Sequence, residues 1–151
     1  MNKLLLSVHV LAAIIAIGPV TVAASMFPPA ARRAMASPDD PRAAETVRML
    51  HRICRVYATI GVVVPVFGFA TASTMGVLGD AWLIVSIALT ALAALVLAVL
   101  VLPGQSALLE GRGAGSREAT VRLAMVTGVF NLLWAVVTVL MIVRPGSTTG
   151  A

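Results

Sequence analysis

Asp, Glu, Lys and Arg are absent from four long stretches of the chain, Leu4 to Ala24, Val56 to Leu78, Ala81 to Leu102 and Leu123 to Val143. The shortest of these holds 21 residues, which as a helix reaches about 31 Å against a hydrocarbon core of about 30 Å. Only 11% of the 151 residues are charged, 60% are hydrophobic and mean hydropathy is +1.01, more apolar than a soluble core of this length requires. The single cysteine, Cys54, excludes an intramolecular disulfide and any CxxC metal or redox motif, and reads as a packing residue. With no acid in any apolar stretch, a cation-coupled transporter or a membrane protease with an acidic pair lacks its usual groups. HExxH, GxSxG and nucleotide-binding motifs are also absent, so nothing in the sequence supports an enzyme.

What is present predicts an all-α, integral membrane four-helix bundle, a single transmembrane domain over residues 1–151. Basic residues set its orientation. Loop one, Phe27 to Arg55, carries Arg32, Arg33, Arg42, Arg48, Arg52 and Arg55, and loop three, Pro103 to Arg122, carries Arg112, Arg117 and Arg122. That is six plus three, or nine, against Lys3 and Arg144 on the opposite side. The positive-inside rule then places both termini outside and loops one and three in the cytoplasm, in the inner membrane of a bacterium. Arg outnumbers Lys ten to one, in keeping with a high-GC bacterial genome. A cleaved signal peptide is the rival reading of the first stretch, given Lys3, Gly18-Pro19 and Val22-Ala23-Ala24. The long apolar run, and the arginines that cleavage would strand outside, favour a retained span.

Phe27-Pro28-Pro29 disfavours continuing the first helix, and Ser37 with Asp40, plus Pro38 at a first helical position, predicts that helix two begins near Ser37 to Pro41. Val47, Leu50, Ile53, Cys54 and Tyr57 then share one helical face and Arg48, Arg52 and Arg55 another, so helix two extends into the cytoplasm with its arginines on anionic lipid head groups. His51 falls at the boundary of these faces, as an interfacial histidine. Pro65 predicts a kink in span two. Gly68, Ala72 and Gly76 face a tight hairpin through Gly79-Asp80, answered in span three by Ala88, Ala91, Ala94 and Ala98. Gly111 to Ser116 lacks the Lys-Ser/Thr ending of a phosphate loop and reads as a flexible linker, and the tail after Arg144-Pro145 as disordered. The basic charge sits beside apolar spans rather than in an aromatic-rich domain, so the expected partners are the lipid bilayer and a second copy or a membrane-complex subunit, with no nucleic acid.

His9 is the most informative polar residue, because an ionisable side chain inside a span needs a partner. Counting 1.5 Å per residue sets Ser86, Thr138 and Thr71 or Ser73 at similar depth, a candidate polar layer that Asp80 reaches from the outer turn, unless it caps span three. Asn131, with Thr127 one turn before it, is suited to interhelical hydrogen bonding. Met75 and Met141 lie near the outer end and, with His9, make a candidate haem b or copper ligand pair. Trp82 fits the outer aromatic belt and Tyr57 the inner one, while Trp134 lies too deep for either.

Ser7-Val8-His9-Val10-Leu11-Ala12-Ala13 followed by Ile17-Gly18 resembles the first helix of several bacterial four-helix integral membrane families. The Arg48-to-Arg55 approach to span two and the Gly79-Asp80-Ala81-Trp82 hairpin are similar to predicted inner-membrane proteins of unknown function. More distantly, the first helix resembles copper-resistance D-type membrane proteins and the oxygen-independent protoporphyrinogen oxidase group. That resemblance implies a haem or redox role for a histidine, carried here by His9. The residues thus leave three expectations open: a structural or accessory bundle without catalytic activity, a haem- or copper-binding redox protein using His9, and a small solute or proton conduit lined by His9, Thr138, Ser86 and Asn131.

Overall fold

The computed structural model describes residues 2–112 and 117–147. Part of the glycine-rich linker (113–116) and the end of the tail (148–151) lie outside the described residues. The elements are α1 (Asn2–Ala36), α2 (Pro41–Ile60), α3 (Val63–Met75), α4 (Ala81–Val96), a π turn (Leu97–Val101), α5 (Leu102–Leu109) and α6 (Arg117–Val143). They assemble as four rods in an all-α bundle: α1, α2 with α3, α4 with α5 through the π turn, and α6. Each rod is long and apolar enough to cross a membrane.

The first rod departs from the sequence expectation. Pro19, Pro28 and Pro29 all lie inside α1, which continues to Ala36. A proline inside a helix removes a backbone bond and costs about 3 kcal/mol, yet here the chain around it is locked in place: Ala24 and Phe27 are fully buried, and so is Pro28. Packing against α2 and α6 overrides local propensity. The first turn of α2 also shifts, since Asp40, not Ser37, is the N-cap. Its Oδ1 accepts from Arg42 N at 3.0 Å, and Pro41 rather than Pro38 takes the first helical position.

Pro65 interrupts span two one turn before itself. It has no N–H for the Gly61 carbonyl, which instead accepts from Val64 N at 3.1 Å, and α2 ends at Ile60. Gly76 ends α3 in the left-handed region (φ 71°), with its N–H on Ser73 O and that of Val77 on Ala72 O. In span three the π turn precedes Pro103, with Leu102 N bonded five residues back to Leu97 O. The added residue relieves the clash a regular helix would suffer with the proline ring and re-aims α5.

Helix α1 is the hub, lying against α2, α3 and α6, while α4 packs on α6 and α5 on α2. The expected face-to-face hairpin of spans two and three therefore does not form along its length. The two meet around their turn, where Ala72, Val77, Trp82 and Leu83 cluster with Met75 and Met141. Ala88, Ala91, Ala94 and Ala98 are all exposed, because α4 presents its other side to α6. The larger apolar cluster gathers around Phe27, Val47, Leu50, Cys54, Val101 and Leu123, at the arginine-bearing end of the rods. Leu11, Ile14, Phe69, Leu95, Leu132 and Ile142 are exposed, an outer surface suited to lipid and not to water.

Candidate functional site

Two histidines organise the polar groups of the bundle, and each joins a different pair of rods. His9 on α1 donates from Nδ1 to the Val64 carbonyl of α3 at 2.9 Å. Because a carbonyl can only accept, Nδ1 carries a proton, and in the neutral tautomer the lone pair is then on Nε2. Gly68 makes room for the ring: a Cβ there would stand 2.8 Å from His9 Cε1 and 3.2 Å from Nδ1. This glycine thus serves α1, not α4.

The polar layer drawn around His9 is not joined by hydrogen bonds among the described residues. Ser86 is fully buried but bonds to Trp82 O on its own helix, Thr138 to Trp134 O and Thr71 to Phe67 O. Ser73 is exposed. His9 meets α3 at Val64 and Gly68, inward of Thr71 and Ser73, so it lies deeper than a count along α1 alone suggests. Asp80 is the N-cap of α4 without a side-chain cap bond. It accepts instead from Trp82 Nε1 at 3.0 Å, while the Arg144 guanidinium stands 5.7 Å over the Trp82 ring. Met75 and Met141 each pack against the apolar cluster of Ala72, Val77, Trp82 and Leu83, whereas His9 bonds to α3 at Val64.

The second histidine forms a network that the sequence left unseen. His51 is buried; its Nδ1–H donates to Gln105 Oε1 of α5 at 2.9 Å, and Ser106 Oγ approaches Nε2 at 3.4 Å. Gln105, fully buried, donates from Nε2 to Cys54 Sγ at 3.5 Å. Phe27 of α1 meets the imidazole edge-on, with centroids 6.5 Å apart. Three rods therefore converge on one side chain. About 20 Å of helix separates His51 from Val64, so the two histidines act at different depths and do not share a ligand.

On α6, Asn131 Nδ2 donates to Ser25 Oγ of α1 at 3.0 Å. Thr127 Oγ1, Asn131 Oδ1 and Trp134 Nε1 are buried with no hydrogen-bond partner among the described residues, each worth about 1–3 kcal/mol of lost solvation. No group of three or more His, Cys, Asp or Glu able to hold a metal occurs among the described residues. Arg48, Arg52 and Arg55 are all exposed on α2.

Comparison with protein-family models, with curated proteins and with solved structures finds no match, so no homology stands behind the family resemblances of the first helix.

Proposed function

We propose that this chain is a multi-pass protein of a bacterial inner membrane, one transmembrane domain with both termini outside, that acts by packing, as a homo-oligomer or an accessory subunit of a membrane complex, without catalysis of its own. The observation that carries this reading is where the polar side chains go. His9 to Val64, Asn131 to Ser25 and His51 to Gln105 each tie one rod to another, the adhesive use of polar groups in lipid. The nine arginines of the inner loops support the orientation. Native mass spectrometry of the mildly solubilised protein is expected to give a whole-number multiple of the chain or a stoichiometric second polypeptide. A lone monomer throughout would overturn the proposal.

A second reading has its own support. The bond from His9 Nδ1 to a carbonyl orients the ring and, in the neutral tautomer, leaves the lone pair on Nε2, as at ligating histidines. In that reading Nε2 holds haem b or copper, which would supply electron transfer, and the chain's own part is to orient the imidazole. A Soret band or stoichiometric copper in the purified protein, lost in His9→Ala, would establish it. A colourless, copper-free preparation would remove it.

A further inference from the structure

The arginine face of α2 is not uniform. Arg48, Arg52 and Arg55 are all exposed and none is in an ion pair among the described residues, but the positions three and four residues from Arg52 and Arg55 hold Arg48, Met49, His51, Arg55, Val56, Arg52, Ala58 and Thr59, with no acid among them, and Arg48 does not border the cleft that the other two line. Two guanidiniums at a three-residue separation repel by a few tenths of a kcal/mol. The ion pair among the described residues, Arg112 with Glu110, lies elsewhere. Among the described residues no carboxylate pairs with Arg52 or Arg55, so both guanidiniums are free to meet an anion from outside the chain.

The same two side chains border an open cleft of about 490 Å³, lined by His51, Arg52, Arg55, Val56 and Thr59. Its depth is set by the neighbouring rod. Gln105, bonded to His51, lies 24 residues after Ala81, about 36 Å along the helix, just past a hydrocarbon core of about 30 Å. His51 and Arg52 thus stand at head-group level, and Arg55, Val56 and Thr59 descend towards the acyl chains. Val56 is 48% exposed and Ile60, next along the helix, 43%. The cleft is cationic at its mouth and apolar below, and His51, pinned by Gln105, forms its rigid wall.

We infer that the Arg52–Arg55 cleft beside His51 seats the phosphodiester head group of one anionic glycerophospholipid, with an acyl chain running down Val56 and Ile60. The inference rests on the membrane embedding proposed above. Forked guanidiniums match the phosphate oxygens in a way a point charge does not, and the apolar continuation selects a lipid over a free anion. A bound lipid would bridge α2 to the bilayer where three rods meet.

The test uses the full chain in dodecyl maltoside, titrated separately with dioleoyl phosphatidylglycerol, dioleoyl phosphatidylcholine and inorganic phosphate, with retained molecules counted by native mass spectrometry. One phosphatidylglycerol per chain is expected, with at least tenfold weaker retention in Arg52→Gln and in Arg55→Gln, partial retention in Arg52→Lys, and no change in Arg48→Gln. All these side chains are exposed, and circular dichroism verifies that the variants stay helical. Equal losses in Arg48→Gln would mean diffuse surface attraction, tight phosphate without lipid would mean a simple anion site, and equal retention of phosphatidylcholine would mean no charge selection; each overturns the inference. Carbonate extraction of the same membranes separates the two proposals. Release into the supernatant refutes embedding, whereas a membrane-retained protein that fails the titration refutes the lipid seat alone.

Discussion

The backbone of Gly68 on α3 and the His9 ring on α1 meet closely enough that no side chain fits between them. Placing a methyl 2.8 Å from His9 Cε1 forces the ring or the α1–α3 spacing to give, and overpacking of this kind costs about 1–3 kcal/mol. Gly68→Ala is therefore expected to lower the unfolding midpoint in detergent, and His9→Ala to restore part of that loss in the double variant; additive effects would show that the contact is not made. Gln105 gives a second residue-level prediction. Gln105→Leu keeps the volume but leaves His51 Nδ1–H buried without an acceptor, at about 1–3 kcal/mol, whereas Asn131→Leu also removes an unpartnered acceptor and should cost less. Chemical denaturation of the two variants ranks them. The reverse order would contradict the hydrogen-bond assignments.

At the scale of helices, prolines mark the places where backbone bonding is rearranged, but with different results. Pro28 and Pro29 leave α1 continuous because buried neighbours hold it, Pro65 breaks span two at Gly61, and Pro103 comes after a π turn. Pro65→Ala supplies the missing amide to Gly61 O and should join α2 to α3 as one straighter helix. Spin labels at Arg48 and Leu78 would then move apart in pulsed dipolar measurements; an unchanged distance would place the cause of the break elsewhere. Pro65 is legible in the sequence as an interruption, but the shift of the break to the preceding turn is not, because the carbonyl that loses its partner belongs to Gly61. Taking Pro103 as the start of a loop likewise overlooks Gln105. The partner of Gln105 is 54 residues away, and no local periodicity records such a pairing.

For the whole molecule, the four rods were legible because lipid demands long uncharged helices with internally satisfied backbones, a constraint written directly into residue type. Neighbour relations were not. Alanines at helical spacing on α4 suggest a seam with α3, yet the same small residues are equally at home on a lipid-facing surface, and only the three-dimensional arrangement distinguishes the two. The candidate site divides in the same way: His9 is evident as an ionisable residue in an apolar run, while its partner is a backbone carbonyl that has no sequence signature. The proposed orientation rests on the arginine asymmetry, and the proposed placing of the His51 network and the lipid cleft at the inner face rests on that orientation.

Orientation is tested most directly by labelling intact cells with a membrane-impermeant maleimide, using Ser37→Cys or Gly79→Cys introduced into a Cys54→Ala background. Gly79 lies in the turn between α3 and α4, and Ser37 in the turn between α1 and α2; both are exposed. Labelling is expected at position 79 in intact cells and at position 37 only after the cells are opened. Labelling at position 37 with protection at position 79 would contradict it.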